Sequence, residues 1–216
     1  MTTDDVGMEQ AWDAYCDALR SLGHAVLGAE RATDALGRAE GIRYLSRLTA
    51  MTLVQSLDFS DPSDPRLFRG NDDVWQWGGP NVDNVYLGAP VNPRWTYRLT
   101  GDISSQPGVI LQVLGTPAAD DPIAVRVDRN LGELADADGR VDILLGPLIV
   151  DAVGIGLPAD ARRLMLREYV PAPDSRRAGF VIERIDEPDL PAPPEPLTEN
   201  EVIRALESSR RFLEHH

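Results

Sequence analysis

Three carboxylates, Asp83, Glu168 and Glu40, are the residues of this chain best suited to general acid or base work. Such work needs a carboxyl whose proton affinity is raised by burial in a cleft. His24 offers an imidazole, but no G-x-S-x-G elbow supplies it with a nucleophile. Its place near a helix end suits an ordinary ring facing the helix dipole. Cys16 falls on an apolar helix stripe and reads as a small buried hydrophobe. On the second predicted helix Glu40, Arg43, Tyr44 and Arg47 recur at three- and four-residue spacings. That stripe suits an anion held by the arginines, or plain pairing of Glu40 with Arg43.

The densest aromatic stretch is VWQWGGPNVDNVYLGAPVNPRWTYRLT, residues 74–100. Trp75 and Trp77 lie two apart and would share one face of a strand. With Tyr86, Trp95 and Tyr97 they suggest a stacking platform for a flat ligand, or filling between helices and sheet. Between them Gly78-Gly79-Pro80-Asn81-Val82-Asp83-Asn84 has the residues of a tight corner, which glycine and Asx side chains form by local hydrogen bonding. Asn81, Asp83 and Asn84 are the polar edge such a site would use, with Arg98 on the following strand.

The inventory excludes a good deal. All 21 basic residues are arginine, so Schiff-base and phosphate-loop lysine chemistry is absent. The formal charge of -14 argues against nucleic acid or an anionic membrane as partner. One cysteine precludes an internal disulfide and fits a cytoplasmic location. The scarcity of His and Cys leaves no multi-ligand metal site, and no cofactor is expected. Asp136-x-Asp138-Gly139-x-x-Asp142 lacks the later ligands of a calcium loop and reads as a turn. Gly154-Ile155-Gly156-Leu157-Pro158 starts like a dinucleotide fingerprint but is broken by proline.

The elements that must position these groups follow from periodicity. Residues 1–7 are polar. Trp12, Tyr15, Cys16, Leu19, Leu22 and Val26 make an apolar stripe, predicting an amphipathic helix over 9–26. Asp34 is a candidate N-cap for a second helix reaching about 57, where an Asp-Pro run stops it. From 74 to 185 the period is two, with strands over 95–100, 109–113, 123–128, 141–143, 162–170 and 179–185 among seven or eight. Their short, polar separations predict an antiparallel sandwich or jelly roll. Residues 187–197 form a proline-rich linker, and Thr198 with Glu201 forms a capping box, with Leu197 and Val202 as its hydrophobic staple. The helix so started runs into Leu213-Glu214-His215-His216, which reads as the start of a histidine tag.

Arg38 to Leu45, Pro65-Arg66-Leu67-Phe68, Asn81 to Tyr86 and Tyr97 to Gly101 occur in that order. Together with the segments 132–140 and 166–169 they resemble the N-terminal part of uncharacterised bacterial proteins associated with the domain of unknown function numbered twelve-fourteen. The resemblance covers roughly residues 10–186. It implies a longer parent protein with a further β-rich domain, and it implies no activity or catalytic residue.

The sequence therefore predicts an α+β chain: helices over 1–57 packed on an antiparallel β domain over 58–186, the linker 187–197, a cut or exchanged helix over 198–212, and tag residues 213–216. The expected role is a non-catalytic module. It would bind a small molecule through Trp75, Trp77, Asn81, Asp83, Asn84, Tyr86 and Arg98, or through Glu40, Arg43 and Tyr44. Alternatively it would dock to a missing C-terminal domain or a second copy through the open apolar side of helix 199–212. A carboxylate- and arginine-based hydrolase or lyase acting on a small molecule or glycan is the alternative.

Overall fold

Among the described residues, apolar positions recurring every three or four produce three helices, α1 (Met8–Gly28), α2 (Ala35–Asp58) and α3 (Glu199–His215). The structure, a computed structural model, describes residues 7–30, 34–72, 74–116, 123–147, 154–172, 174–186 and 196–215. Most of the predicted linker, 187–195, lies outside them, as do residues 1–6 and His216. The chain divides into two units. One comprises Met1–Asp58, Asn71–Pro80 and Glu195–His216; the other comprises Phe59–Gly70 and Asn81–Pro194.

The first unit is a three-helix bundle. Asp34 caps α2 as its sequence suggests, its Oδ1 accepting the Gly37 N–H at 2.7 Å. The capping box forms at α3: Thr198 N–H donates to Glu201 Oε2 at 2.7 Å, and Glu201 N–H to Thr198 Oγ1 at 3.3 Å. Leu197, the outer member of the predicted staple, stays 64% exposed. Ala11 and Tyr15 of α1, Leu45, Leu48 and Met51 of α2, and Ile203, Leu206 and Leu213 of α3 are buried. The Thr52 and Ser209 hydroxyls meet at 2.6 Å where α2 and α3 touch. Nearby on α1 the Tyr15 hydroxyl is buried, and burial raises its pKa.

Two expectations are corrected here. The apolar side of the C-terminal helix is covered by α1 and α2 rather than open for a partner, because stripes on three helices can enclose a common core where two cannot. That helix also continues past residue 212, and Leu213 belongs to its buried face. On α1 the buried stripe is centred on Ala11 and Tyr15, which leaves Trp12 56% exposed at its margin.

Among the described residues the second unit holds nine strands in two sheets. The five-stranded sheet runs β1 (Phe68–Asn71), β2 (Asn84–Pro90), β8 (Ala161–Tyr169), β4 (Val109–Gly115), β5 (Ala124–Asn130). The four-stranded sheet runs β7 (Gly154–Gly156), β6 (Arg140–Gly146), β3 (Tyr97–Asp102), β9 (Val181–Arg184). Between them lies one core, to which Leu111, Val113, Leu164 and Leu166 contribute from one sheet and Leu99, Ile143, Leu145 and Ile182 from the other. This is the α+β sandwich predicted from the period-two pattern. One pairing departs from it: β7 lies parallel to β6, so the glycines at 154 and 156 serve a short edge strand.

Tyr97 is wholly buried in this core, and its hydroxyl is used twice. It accepts the Asn92 N–H at 2.8 Å and donates to the Pro62 carbonyl at 3.0 Å. Burial pushes its pKa up to about 12. At the 136–139 turn Asp136 Oδ1 accepts the N–H groups of Asp138 and Arg140, at 3.0 and 2.8 Å, confirming a turn made by its own carboxylate. Gly139 has φ 78°, and a Cβ there would lie 2.7 Å from Ser104 Cα.

Candidate functional site

The residues singled out from sequence fall in different places. Trp75 and Trp77 belong to the helical unit and lie outside any strand. Positive φ at Gly78 and Gly79, 66° and 68°, turns the chain just beyond them. Trp77 meets Phe212 edge-on at 5.1 Å. The predicted five-membered platform is therefore not formed on one sheet: Tyr97 fills the core, Trp95 lies beneath the Arg184 guanidinium at 3.8 Å, and Tyr86 is on β2 of the other sheet. On α2 Glu40 pairs with Arg43, both side chains about half exposed, and Tyr44 is exposed beside them. Simple pairing accounts for that stripe.

In the sheet unit the 81–84 corner is held by its own groups. Asn81 Oδ1 accepts the Asp83 N–H at 3.0 Å, and the Asp83 carbonyl accepts the Val170 N–H at 2.8 Å. The Asp83 side chain is exposed. Arg98 gives both Nε and Nη2 to Asp142, at 2.7 and 2.6 Å, with Glu183 at 3.9 Å. These partners hold the Arg98 guanidinium above its ordinary pKa and the Asp142 carboxyl below its own. Arg98 is thus committed to protein carboxylates. Glu168, only 1% exposed, accepts from Gln106 Nε2 at 3.0 Å and the Ala178 N–H at 2.9 Å. It ties two loops to the end of the core, a positioning task that explains its burial.

Asn84 and Tyr86 keep different company. Alternation along β2 puts them on the outer face of the five-stranded sheet, with Tyr169 opposite Asn84 and Arg167 opposite Tyr86. Asn84 Nδ2 donates to the Tyr86 hydroxyl at 3.3 Å, while Asn84 Oδ1 is buried without a hydrogen-bond partner among the described residues. The Arg167 guanidinium lies over the Tyr86 ring, 5.6 Å from its centroid, and its Nε is likewise buried and unpaired. Two positions along β2, Gly88 lacks the Cβ that would collide with the Arg163 guanidinium, 2.5 Å from Nη2. Arg163 can therefore lie against bare backbone, and burial alone brings its pKa down to about 10. No ion pair joins Arg163 or Arg167 to a carboxylate among the described residues. Asp128, on β5 of the same sheet, receives Gln112 Nε2 at 2.6 Å. Among the described residues no three His, Cys, Asp or Glu side chains converge as a metal site requires, and no helix is long and apolar enough to cross a membrane.

The fold has a solved counterpart. The crystal structure of an uncharacterised protein from Burkholderia cenocepacia matches at a TM-score of 0.83 and 28% identity, over 95% of this chain and 57% of that one. The two share a fold. This chain accordingly spans just over half the length of that protein. A protein from Vibrio parahaemolyticus aligns over 80% of this chain and 51% of its own, at 13% identity and a TM-score of 0.36, too low to bear on the fold. No protein-family model and no curated protein matches the chain.

Of the predicted ligand residues, then, the structure brings Asn84 and Tyr86 together and places Asn81 and Asp83 in the exposed corner before them. Sequence reasoning missed Arg163 and Arg167. Their signal was present in the run ARRLMLREY: Leu164 and Leu166 mark one face of a strand, so Arg163, Met165, Arg167 and Tyr169 must share the other.

Proposed function

We propose that the chain is a non-catalytic binding module that takes a small molecule on the outer face of its five-stranded sheet, at Asn84 and Tyr86. The supporting observation is a pair of buried polar atoms on that face, Asn84 Oδ1 and Arg167 Nε, that no group among the described residues satisfies. Buried polar atoms are nearly always hydrogen-bonded, and each orphan costs about 1–3 kcal/mol, so a bound molecule that satisfies both gains what folding has left unmade. Glu168, the one buried carboxylate among the acid–base candidates, is already engaged by Gln106 and Ala178.

A thermal-shift screen with sugars, carboxylic acids and phosphates tests this reading. A ligand that binds only the folded form stabilises it by about 2.7 kcal/mol at one hundred times its Kd. The expected result is at least one class that raises Tm in the wild type and fails to do so in Asn84→Ala and Tyr86→Phe. Shifts that survive both substitutions overturn it.

The 57% coverage of the Burkholderia protein favours a second role, docking onto the rest of a longer parent. Split at the corresponding boundary, the two parts of that protein should co-elute on gel filtration. Separate elution removes the docking role.

A further inference from the structure

Resting on that binding face, we propose that its ligand is an oxyanion, a carboxylate- or phosphate-bearing small molecule, held by the guanidinium groups of Arg163 and Arg167 with Asn84 and Tyr86 along one edge. Both arginines stand on the same face of β8, four residues apart, and both lean toward β2, one over Gly88 and the other over Tyr86. Two cations brought onto one sheet face repel each other, and withdrawal from water removes the hydration that would offset their charge. Elsewhere in this unit arginines answer that problem with carboxylates: Arg98 takes Asp142, and Arg126 takes Asp160 at 2.8 Å. Arg163 and Arg167 have no such answer among the described residues, although the chain carries 35 acidic residues against 21 basic ones.

The glycine opposite them sharpens the argument. Any side chain at position 88 would displace the Arg163 guanidinium, since its Nε, Cζ and Nη2 all lie within 2.9 Å of where a Cβ would stand. The bare backbone admits the Nε–Nη2 edge of the guanidinium, both nitrogens lying nearer that point than Cζ, and this leaves the terminal Nη1–Nη2 fork of donors for a planar or tetrahedral oxyanion. The Asn84 amide has an unpaired end in either orientation, so it can present Nδ2 to the same oxyanion while its oxygen accepts the Tyr86 hydroxyl. Asp128, on the same face of the sheet opposite Gln112, is occupied by that amide and does not neutralise the pair, and Glu168 on β8 alternates onto the other face.

Calorimetric titration of the full chain with inorganic phosphate and with succinate tests the inference, using a neutral sugar as a control ligand. Binding of either anion should weaken at least tenfold in Arg163→Gln and Arg167→Gln, and stay within twofold of wild type in Arg98→Gln. It should also weaken as sodium chloride is raised from 50 to 500 mM. Gly88→Ala, which keeps both charges and moves one, should weaken it as well, so the outcome does not rest on a charge-removing variant. A preference for phosphate or for succinate identifies the acid class. Absence of anion binding, or equal losses in Arg98→Gln, overturns the anion assignment. If the neutral sugar binds and Asn84→Ala abolishes that binding, the face remains a binding site and only its charge class was misjudged.

Discussion

Replacing Tyr97 by Phe removes one oxygen and leaves two backbone groups without a partner, the Asn92 N–H and the Pro62 carbonyl. Each orphaned group costs about 1 kcal/mol or a little more, so Tyr97→Phe should lower unfolding free energy by about 2–3 kcal/mol at pH 8. The same hydroxyl makes a second, pH-dependent statement. Its pKa is about 12 in the fold against 10.0 for a free tyrosine, chiefly because burial disfavours the phenolate. The folded state therefore holds the proton more tightly. The contribution is complete below pH 10 and is lost as pH climbs from 10 to 12. A two-unit rise is worth about 3 kcal/mol, comparable to the neutral-pH cost of the substitution. Urea unfolding of wild type and Tyr97→Phe at half-unit steps from pH 8 to 12 should show a gap of about 2–3 kcal/mol that closes toward zero at the alkaline end. Taking the difference cancels every other group that titrates there. A gap that stays constant to pH 12 refutes the reasoning, for it would mean that the hydroxyl titrates alike in the folded and unfolded chains.

Leu206→Ala should cost about 2–4 kcal/mol, because α3 buries this side chain between α1 and α2; a urea midpoint unchanged from wild type would show that the helix is not packed home. Gly139→Ala should destabilise by more than about 1 kcal/mol in the same assay, since the position has φ 78° and its Cβ would strike Ser104 backbone. Glu168→Ala should cost about 2 kcal/mol and Glu168→Gln distinctly less, because the amide oxygen can still accept from the Ala178 N–H; equal losses would argue that the charge itself is what the site needs. Thr198→Ala should reduce stability by about 1 kcal/mol through loss of the α3 cap, read by thermal melting.

The capping residues, the two leading helices and most of the strands were legible because each is specified by neighbours in sequence. Asp34, Thr198 and Glu201 act within three residues of themselves. Trp75 and Trp77 mislead because spacing by two is also what an irregular segment shows by chance, and the positive-φ glycines 78 and 79 turn the chain outside any strand. The parallel partner of β6 depends on where the chain returns after Gly146, which no local pattern records. The site was the least legible part. Arg98 and Arg167 look alike as strand arginines; only cross-strand neighbours, Asp142 for one and Tyr86 for the other, separate a satisfied charge from an unsatisfied one.

The buried contact between Thr52 and Ser209 joins residues 157 positions apart in the chain. A ribosome adding about 5–20 residues per second reaches the second of them roughly 8–30 s after the first. Throughout that interval the two leading helices have exited without their third companion, their apolar stripes exposed to whatever else the nascent chain or the cell presents. The sandwich, by contrast, receives all of its strands before α3 begins. Vectorial synthesis thus orders assembly: the β body matures first and the bundle last. Helper proteins that shield apolar surface should be needed most by the N-terminal helices, during the time it takes to make everything between them and their partner.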